Sequence, residues 1–112
     1  MKEENVLCAA SSYQQKYYFN PRFSAIPEAI QRELKILCVT FTEEAGGVIS
    51  LEFADDGELM IHVEADDHDY LYDEIESGIL VGRMQREKEE LFGQLEAYYK
   101  VMDRIVIKKD KQ

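Results

Sequence analysis

Residues 47–65, GVISLEFADDGELMIHVEA, alternate apolar and polar side chains on either side of an Asp-Asp-Gly sequence. Side chains two apart point to the same face of a strand, so each half predicts a strand with one apolar face. A two-residue turn would set Phe53 opposite Met60 and mix the faces, whereas a three-residue turn keeps them separate and places Gly57 at a left-handed position. The segment therefore predicts an antiparallel hairpin that pairs Phe53 with Leu59, Leu51 with Ile61, and Ile49 with Val63.

The preceding segment, residues 27–44, has the spacing of an amphipathic helix. Pro27 suits the first position of a helix, and Glu28 places a negative charge near the positive end of the helix dipole. Gly46 and Gly47 offer a left-handed stop before the hairpin begins. The apolar residues that recur at intervals of three and four, and so predict one buried face, are Ile30, Leu34, Leu37, Cys38 and Phe41.

The first 26 residues contain two short stretches of strand-forming residues, VLCAA and KYYFN, on either side of SSYQQ. We predict a hairpin here, and the alternative is a short helix capped by Ser12 and Gln15. The element order is then ββαββα. It predicts an α+β fold with a single domain, residues 1–112, in which two helices cover one face of an antiparallel sheet in two layers.

From Tyr70 to Met102 the sequence is mostly helical. A continuous helix of these 33 residues would be about 50 Å long at about 1.5 Å per residue, whereas a compact chain of this length has a radius of gyration of about 13 Å. We therefore expect a break near Gly78 and Gly82, and the alternative is that the far half packs on another copy or a partner. Its apolar stripe, interrupted by Lys88, consists of Val81, Met84, Leu91, Leu95, Tyr98 and Met102.

Charge is segregated along the chain, whose net charge is −10. No Lys or Arg occurs between Lys35 and Arg83, and the 47 residues between them carry 13 Asp and Glu side chains. Such a segment repels phosphate backbones, which argues against direct nucleic-acid binding, while it can attract a basic protein surface or cations. The simpler interpretation is that these carboxylates only keep a surface solvated.

The densest part of this segment is EADDHDYLYDE, residues 64–74. Here Asp66, Asp67 or Asp69 can cap the helix that follows. The alternative is weak binding of Ca²⁺ or Mg²⁺, because both ions prefer oxygen ligands. The segment lacks the central glycine of an EF-hand loop, and one histidine is too few for zinc. The candidate metal ligands are Asp66, Asp67, His68, Asp69 and Asp73.

The sequence contains no glycine-rich phosphate loop, no Gly-x-Ser-x-Gly and no His-Glu-x-x-His. We therefore predict a protein that is not an enzyme and has no cofactor beyond a weakly bound cation. Cys8 and Cys38 are 30 residues apart, without a Cys-x-x-Cys spacing, which predicts buried thiols. The lack of a signal peptide and of a stretch of roughly 18 apolar residues predicts no membrane contact and a cytoplasmic location.

Four separate blocks carry a resemblance to a known family: SYQQKYYFNPRF, ELKILCVTFTEEAGGVISLEF, DYLYDEI and QREKEEL. Together they resemble an uncharacterised family of short acidic proteins from Gram-positive bacteria, the family of unknown function numbered 6145. The blocks are spread over nearly the whole chain. The resemblance implies a stand-alone, single-domain cytoplasmic protein, and it implies no activity and no catalytic residues.

Charge segregation and the overlong striped helix favour a non-enzymatic protein-interaction module. We expect it to associate with a protein partner, or with a second copy of itself, through the helix of residues 84–102. The residues predicted to make this contact are Leu91, Leu95 and Tyr98. The alternative hypothesis is a divalent-cation-binding protein that uses residues 64–74.

Overall fold

The computed structural model describes residues 5–110, including the side chains of residues 5–103. Two strands, a helix, two more strands and two further helices follow one another along the chain. A short 3-10 helix, Pro21–Phe23, leads from the second strand toward the first α-helix. The elements are β1 (Val6–Ser11), β2 (Lys16–Phe19), α1 (Glu28–Ala45), β3 (Val48–Phe53), β4 (Leu59–Glu64), α2 (Glu74–Glu87) and α3 (Glu89–Asp110).

The four strands form one antiparallel sheet in the order β2-β1-β3-β4. The predicted α+β fold and N-terminal hairpin are confirmed, since β1 pairs with β2 from Cys8 opposite Phe19 to Ser11 opposite Lys16. β1 also pairs with β3, and the register of that pair shifts between Val6 and Cys8. The sheet therefore consists of two hairpins joined along their first strands, with β2 and β4 at its edges.

The β3-β4 hairpin has the predicted register, with Phe53 opposite Leu59, and this prediction is confirmed along the whole pair. Gly57 has a φ of +88°, and its N–H donates to the C=O of Ala54 at 2.8 Å. A Cβ at Gly57 would also lie 2.9 Å from the Cε atom of Lys100. Both the backbone conformation and the close approach of α3 therefore favour glycine at this turn.

α1 covers the apolar face of the sheet with the side chains predicted from the sequence. Leu34, Cys38 and Phe41 are buried in the same cluster as the apolar side chains of β3. The helix ends where Gly46 and Gly47 adopt φ values of +78° and +74°. Pro27 differs from the prediction only by one position, because it precedes the helix as its N-cap and Glu28 is the first helical residue.

The C-terminal helical segment breaks at Lys88 and not near Gly78 and Gly82, so the predicted position of the break is wrong and the fold has three helices instead of two. Lys88 has a φ of −110° and a ψ of 19°. Its ammonium lies 2.9 Å from the carboxylate of Glu33 on α1. The N–H groups of Lys88 and Phe92 still donate to the C=O groups four residues earlier, both at 2.9 Å. The break is therefore confined to one residue, the polar residue that interrupts the apolar stripe and forms an ion pair with α1.

The buried face of α3 overlaps the predicted stripe and continues the buried face of α2. Phe92, Leu95 and Tyr99 are buried, whereas Leu91 and Tyr98 are only partly buried and pack against the core. Although α3 has 22 residues, neither it nor any other helix within residues 5–110 is long and apolar enough to cross a membrane.

An aromatic cluster links α3 to the sheet and to the 3-10 helix. The rings of Phe53 and Tyr99 are stacked, with centroids 4.3 Å apart and planes 12° apart. Phe23 packs on Phe53 at a centroid distance of 5.4 Å. Phe23 and Phe53 are fully buried and Tyr99 is 5% exposed, so this cluster joins three distant parts of the chain in one core.

Cys8 on β1 and Cys38 on α1 are free thiols in the core, as predicted. Their sulfur atoms are 3.8 Å apart, and either thiol can donate the hydrogen bond between them. That hydrogen bond and burial raise the pKa of Cys38 well above its usual range. A thiol kept protonated in this way is a poor nucleophile, so the pair is suited to packing.

Candidate functional site

The acidic stretch forms the loop between β4 and α2, residues 65–73. Two backbone hydrogen bonds within the loop form turns. The N–H of Asp69 donates to the C=O of Asp66 at 3.0 Å, and the N–H of Tyr72 donates to the C=O of Asp69 at 3.3 Å. The Asp69 carboxylate also accepts from the N–H of Leu71 at 3.2 Å. These bonds within the segment are typical of aspartate-rich turns.

Asp73 caps α2 at the end of the loop. Its carboxylate accepts from the N–H of Ile75 at 2.9 Å and from the N–H of Glu76 at 3.1 Å. The predicted caps Asp66, Asp67 and Asp69 are wrong, because α2 begins only at Glu74. Part of the acidic stretch therefore has a structural role, since a carboxylate at this position satisfies amides that lack a partner within the helix.

Replacing Asp73 with alanine should lower the free energy of unfolding by about 1 kcal/mol, because two amide hydrogens of α2 lose their acceptor. Urea denaturation measures this change. Asp67→Ala is the matched control, since Asp67 is an exposed residue of the same loop and should change stability by less than about 0.5 kcal/mol. An equal loss in both variants would contradict the capping role.

Tyr13, in the turn between β1 and β2, holds this loop from the other side. Its hydroxyl donates to Oδ2 of Asp69 at 2.7 Å and accepts from the N–H of Asp66 at 2.9 Å. The hydrogen bond to Asp69 raises the pKa of Tyr13, because a tyrosinate would face the carboxylate. The contact between Tyr13 and Asp69 could not be predicted from the sequence, because no local pattern links residues that are 56 positions apart.

Tyr72 fixes the loop to the junction between α1 and β3. A Cβ at Gly47 would lie 2.8 Å from the Cε1 atom of Tyr72 and 2.6 Å from the C=O oxygen of Glu64. The Tyr72 hydroxyl donates to the Oγ atom of Ser77 at 2.5 Å. Ser77 is buried on α2, so the ring joins the end of α1 to the start of α2.

Large apolar side chains lie exposed along this loop and the first half of α2. Tyr70 is 89% exposed, Leu71 95%, Ile75 77% and Ile79 57%. Single exposed apolar residues are common on proteins, but several of them close together in the chain are typical of an interaction site. These four residues were not predicted as a contact site, because they are not part of the apolar stripe of the C-terminal helical segment.

Next to these apolar residues in the chain, the end of β4, the loop and the start of α2 form a hollow of about 480 Å³. Its lining contains five acidic residues and no basic one, and the four exposed apolar residues are not part of it. We call this region the acidic apolar surface. It consists of the exposed residues Tyr70, Leu71, Ile75 and Ile79 together with the acidic residues Glu64, Asp66, Asp67, Asp69 and Glu74.

The five predicted metal ligands lie in this loop without converging on one point. Among the residues that the structure describes, no group of three or more His, Cys, Asp or Glu side chains is placed to hold a metal ion. Asp69 and Asp73 already accept hydrogen bonds. Cation binding by residues 64–74 therefore stays a prediction that this geometry does not support. The five are Asp66, Asp67, His68, Asp69 and Asp73.

The three residues predicted to contact a partner lie on or near the core. Leu95 is 2% exposed, so it packs inside the chain and presents no surface to another protein. Leu91 and Tyr98 are partly buried and pack against the same core. The difference arises because this stripe continues the buried side of α2, where Leu80 and Met84 belong to the same core cluster.

An apolar groove with a volume of about 350 Å³ lies between α1 and α2. Ile36, which is 60% exposed, lies on its rim. Two ion pairs join the helices beside it, Arg83 with Glu44 at 3.5 Å and Lys88 with Glu33 at 2.9 Å. Since three basic and three acidic residues line it, the groove favours neither sign of charge in a ligand.

Comparison with known proteins agrees with the resemblance seen in the sequence blocks. Searches of curated proteins and of solved structures find no match. A family model described as a family of unknown function, DUF6145, matches residues 4–109. The match covers nearly all of the 112 residues and confirms the predicted family. The chain belongs to the family of unknown function DUF6145.

Proposed function

We propose that this chain is a non-enzymatic protein-interaction module of the bacterial cytoplasm and that the acidic apolar surface is its contact site. The observation that carries the proposal is the exposure of Leu71 and Ile75, 95% and 77%, beside a hollow lined by carboxylates. The module is the one expected from the sequence, but its contact residues move from α3 to the loop and α2. Burial of Leu95 in the core is the reason for the move.

The partner must match both components of the surface. Aliphatic anchors that become buried contribute about 1.5–3 kcal/mol each, so Leu71 and Ile75 require an apolar counterpart. The surrounding carboxylates, in a segment without Lys or Arg from residue 36 to residue 82, require basic groups at its edge. A basic amphipathic helix meets both requirements, because it presents an apolar stripe flanked by Lys or Arg.

The double variant Leu71→Ser, Ile75→Ser tests this proposal. Wild-type and variant proteins are immobilised, and the retention of a synthetic basic amphipathic helix and of proteins from a bacterial extract is compared. We expect the variant to lose at least tenfold in affinity, because both anchors are removed. Its thermal stability should change little, since both side chains are exposed.

Ile36→Ser is the matched control, because Ile36 is also an exposed aliphatic residue on a helix but lies beside the groove between α1 and α2. It should retain the partner as well as the wild type does. Raising the salt concentration from about 0.05 M to about 0.5 M should weaken retention, as expected for opposite charges at the rim. Loss of the partner in the Ile36 variant, with normal retention by the double variant, would refute the proposed surface.

A further inference from the structure

α2 itself carries exposed apolar residues and basic groups of the kind that the acidic apolar surface requires. The half of α2 before Ile79 carries Glu74 and Glu76, and the half after it carries Arg83, Arg86 and Glu87. We infer that the surface is occupied by α2 of a second copy, with the two α2 helices packed antiparallel around a two-fold axis near Ile79. This inference rests on the proposed function and names the partner for it.

One side of α2 is available for such a contact. At about 100° per residue, Ile75, Gly78, Ile79 and Gly82 fall on the same side of the helix. The buried residues of α2 lie on the opposite side, which packs on the core. Ile75 and Ile79 are 77% and 57% exposed, so an apolar ridge and two glycines face away from the chain's own fold.

The two glycines have no side chains, so the helix surface at their positions is lower than at Ile75 and Ile79. A Cβ added at Gly78 would meet nothing within 4 Å, and one at Gly82 would meet only the Nη1 atom of Arg86, at 3.4 Å. Neither glycine has a positive φ, so the fold of one chain does not require either of them. Each destabilises the helix by about 1 kcal/mol relative to alanine. Close approach of a second helix offsets this cost, because the absence of Cβ atoms lets the backbones meet.

The charges on α2 decide the direction of the pairing. Glu76 lies three residues before Ile79 and Arg83 four residues after it, and both are on the same flank of the helix. Antiparallel pairing therefore sets Glu76 of each copy beside Arg83 of the other, in two equivalent contacts. Parallel pairing about a two-fold axis would place Glu76 of one copy and Arg83 of the other on opposite sides of the interface, where they cannot pair. Arg83 can exchange its ion pair with Glu44 for one with Glu76 of the second copy. The Arg83–Glu44 pair, at 3.5 Å, joins two half-exposed side chains, and such a pair contributes little to stability.

The net charge of −10 on each copy opposes association at long range. At physiological salt, charges more than about 8 Å apart are largely screened, so the contacts inside the interface determine the balance. The 14 residues of α2 give a contact about 21 Å long. With a helix width of about 10 Å this contact covers about 200 Å², less than the roughly 800 Å² per partner of a stable complex, so we expect a weak dimer that forms only at high protein concentration.

Sedimentation velocity of the whole chain, from about 1 μM to about 1 mM, tests the inference. The wild type should shift from monomer toward dimer as its concentration rises. Gly78→Leu should stay monomeric, because its side chain fills the space needed by the second helix. The matched control is Gly93→Leu on α3, where a Cβ also meets nothing within 4 Å, and it should dimerise normally. A monomeric wild type, or equal dimerisation of both variants, would overturn the inference.

Charge reversal tests the antiparallel direction. Glu76→Arg and Arg83→Glu should each weaken the dimer at least tenfold, and the double variant should restore it. A dimer that ignores the single changes would refute this arrangement. If the wild type is monomeric and still retains a partner through Leu71 and Ile75, this inference fails and the proposed function stands. If neither self-association nor retention occurs, both fail.

Discussion

Phe53→Ala should lower the free energy of unfolding by about 3–5 kcal/mol. Phe53 is fully buried, stacks on Tyr99 at 4.3 Å and packs on Phe23 at 5.4 Å. Its removal leaves a cavity between β3, α3 and the 3-10 helix, and the paired strands cannot move inward to close it. Chemical denaturation measures the loss directly, and the thermal midpoint should fall by at least about 10 °C.

The matched control for this variant is Tyr70→Ala, which removes an aromatic ring that is 89% exposed. It should change the free energy of unfolding by less than about 0.5 kcal/mol. Similar losses in the two variants would show that the aromatic cluster does not hold α3 on the sheet.

Gly47→Ala should destabilise the protein by about 3 kcal/mol or more. The residue has a φ of +74°, where a side chain is strained by about 1–3 kcal/mol. Its new Cβ would also lie 2.6 Å from the C=O oxygen of Glu64 and 2.8 Å from the ring of Tyr72. Either the end of β4 or Tyr72 must move, so the loop should lose order together with stability. Urea denaturation and the hydrogen exchange of the loop amides measure the two effects.

Gly46→Ala is the control that separates the cost of backbone strain from the cost of the close contacts at Gly47. Gly46 has a similar φ of +78°, but a Cβ there meets nothing within 4 Å. Its loss should therefore be the backbone strain alone, about 1–3 kcal/mol. Equal losses at the two positions would mean that the approach of Tyr72 and Glu64 to Gly47 carries no energetic weight.

Local periodicity was sufficient to predict the β3-β4 hairpin and α1. The pairing of Phe53 with Leu59 follows from the two apolar faces, because any shift of one residue would expose them. The break at Lys88 could not be predicted in the same way. The ion-pair partner of Lys88 is Glu33, which is 55 residues away in the chain, and the glycines that suggested a break nearby lie inside a regular helix.

The candidate site was predictable only in part. Its charge was evident from the composition of residues 64–74, but its apolar residues were not, because exposure depends on packing and not on residue type. Leu71 and Leu95 are chemically identical, yet one is 95% exposed and the other 2%. The stripe that included Leu95 predicted a partner surface, but it packs in or against the chain's own core.

The two hydrogen bonds of Tyr13 link the β1-β2 turn to the loop that we propose as part of the contact site. Tyr13 bonds both Asp66 and Asp69, so the conformation of the loop and that of the turn are coupled. Such coupling is reciprocal: a partner that selected this loop conformation would stabilise the turn by the same free energy with which the turn favours binding. On the proposed function, binding at the loop should therefore also stabilise the β1-β2 turn and the edge strand β2.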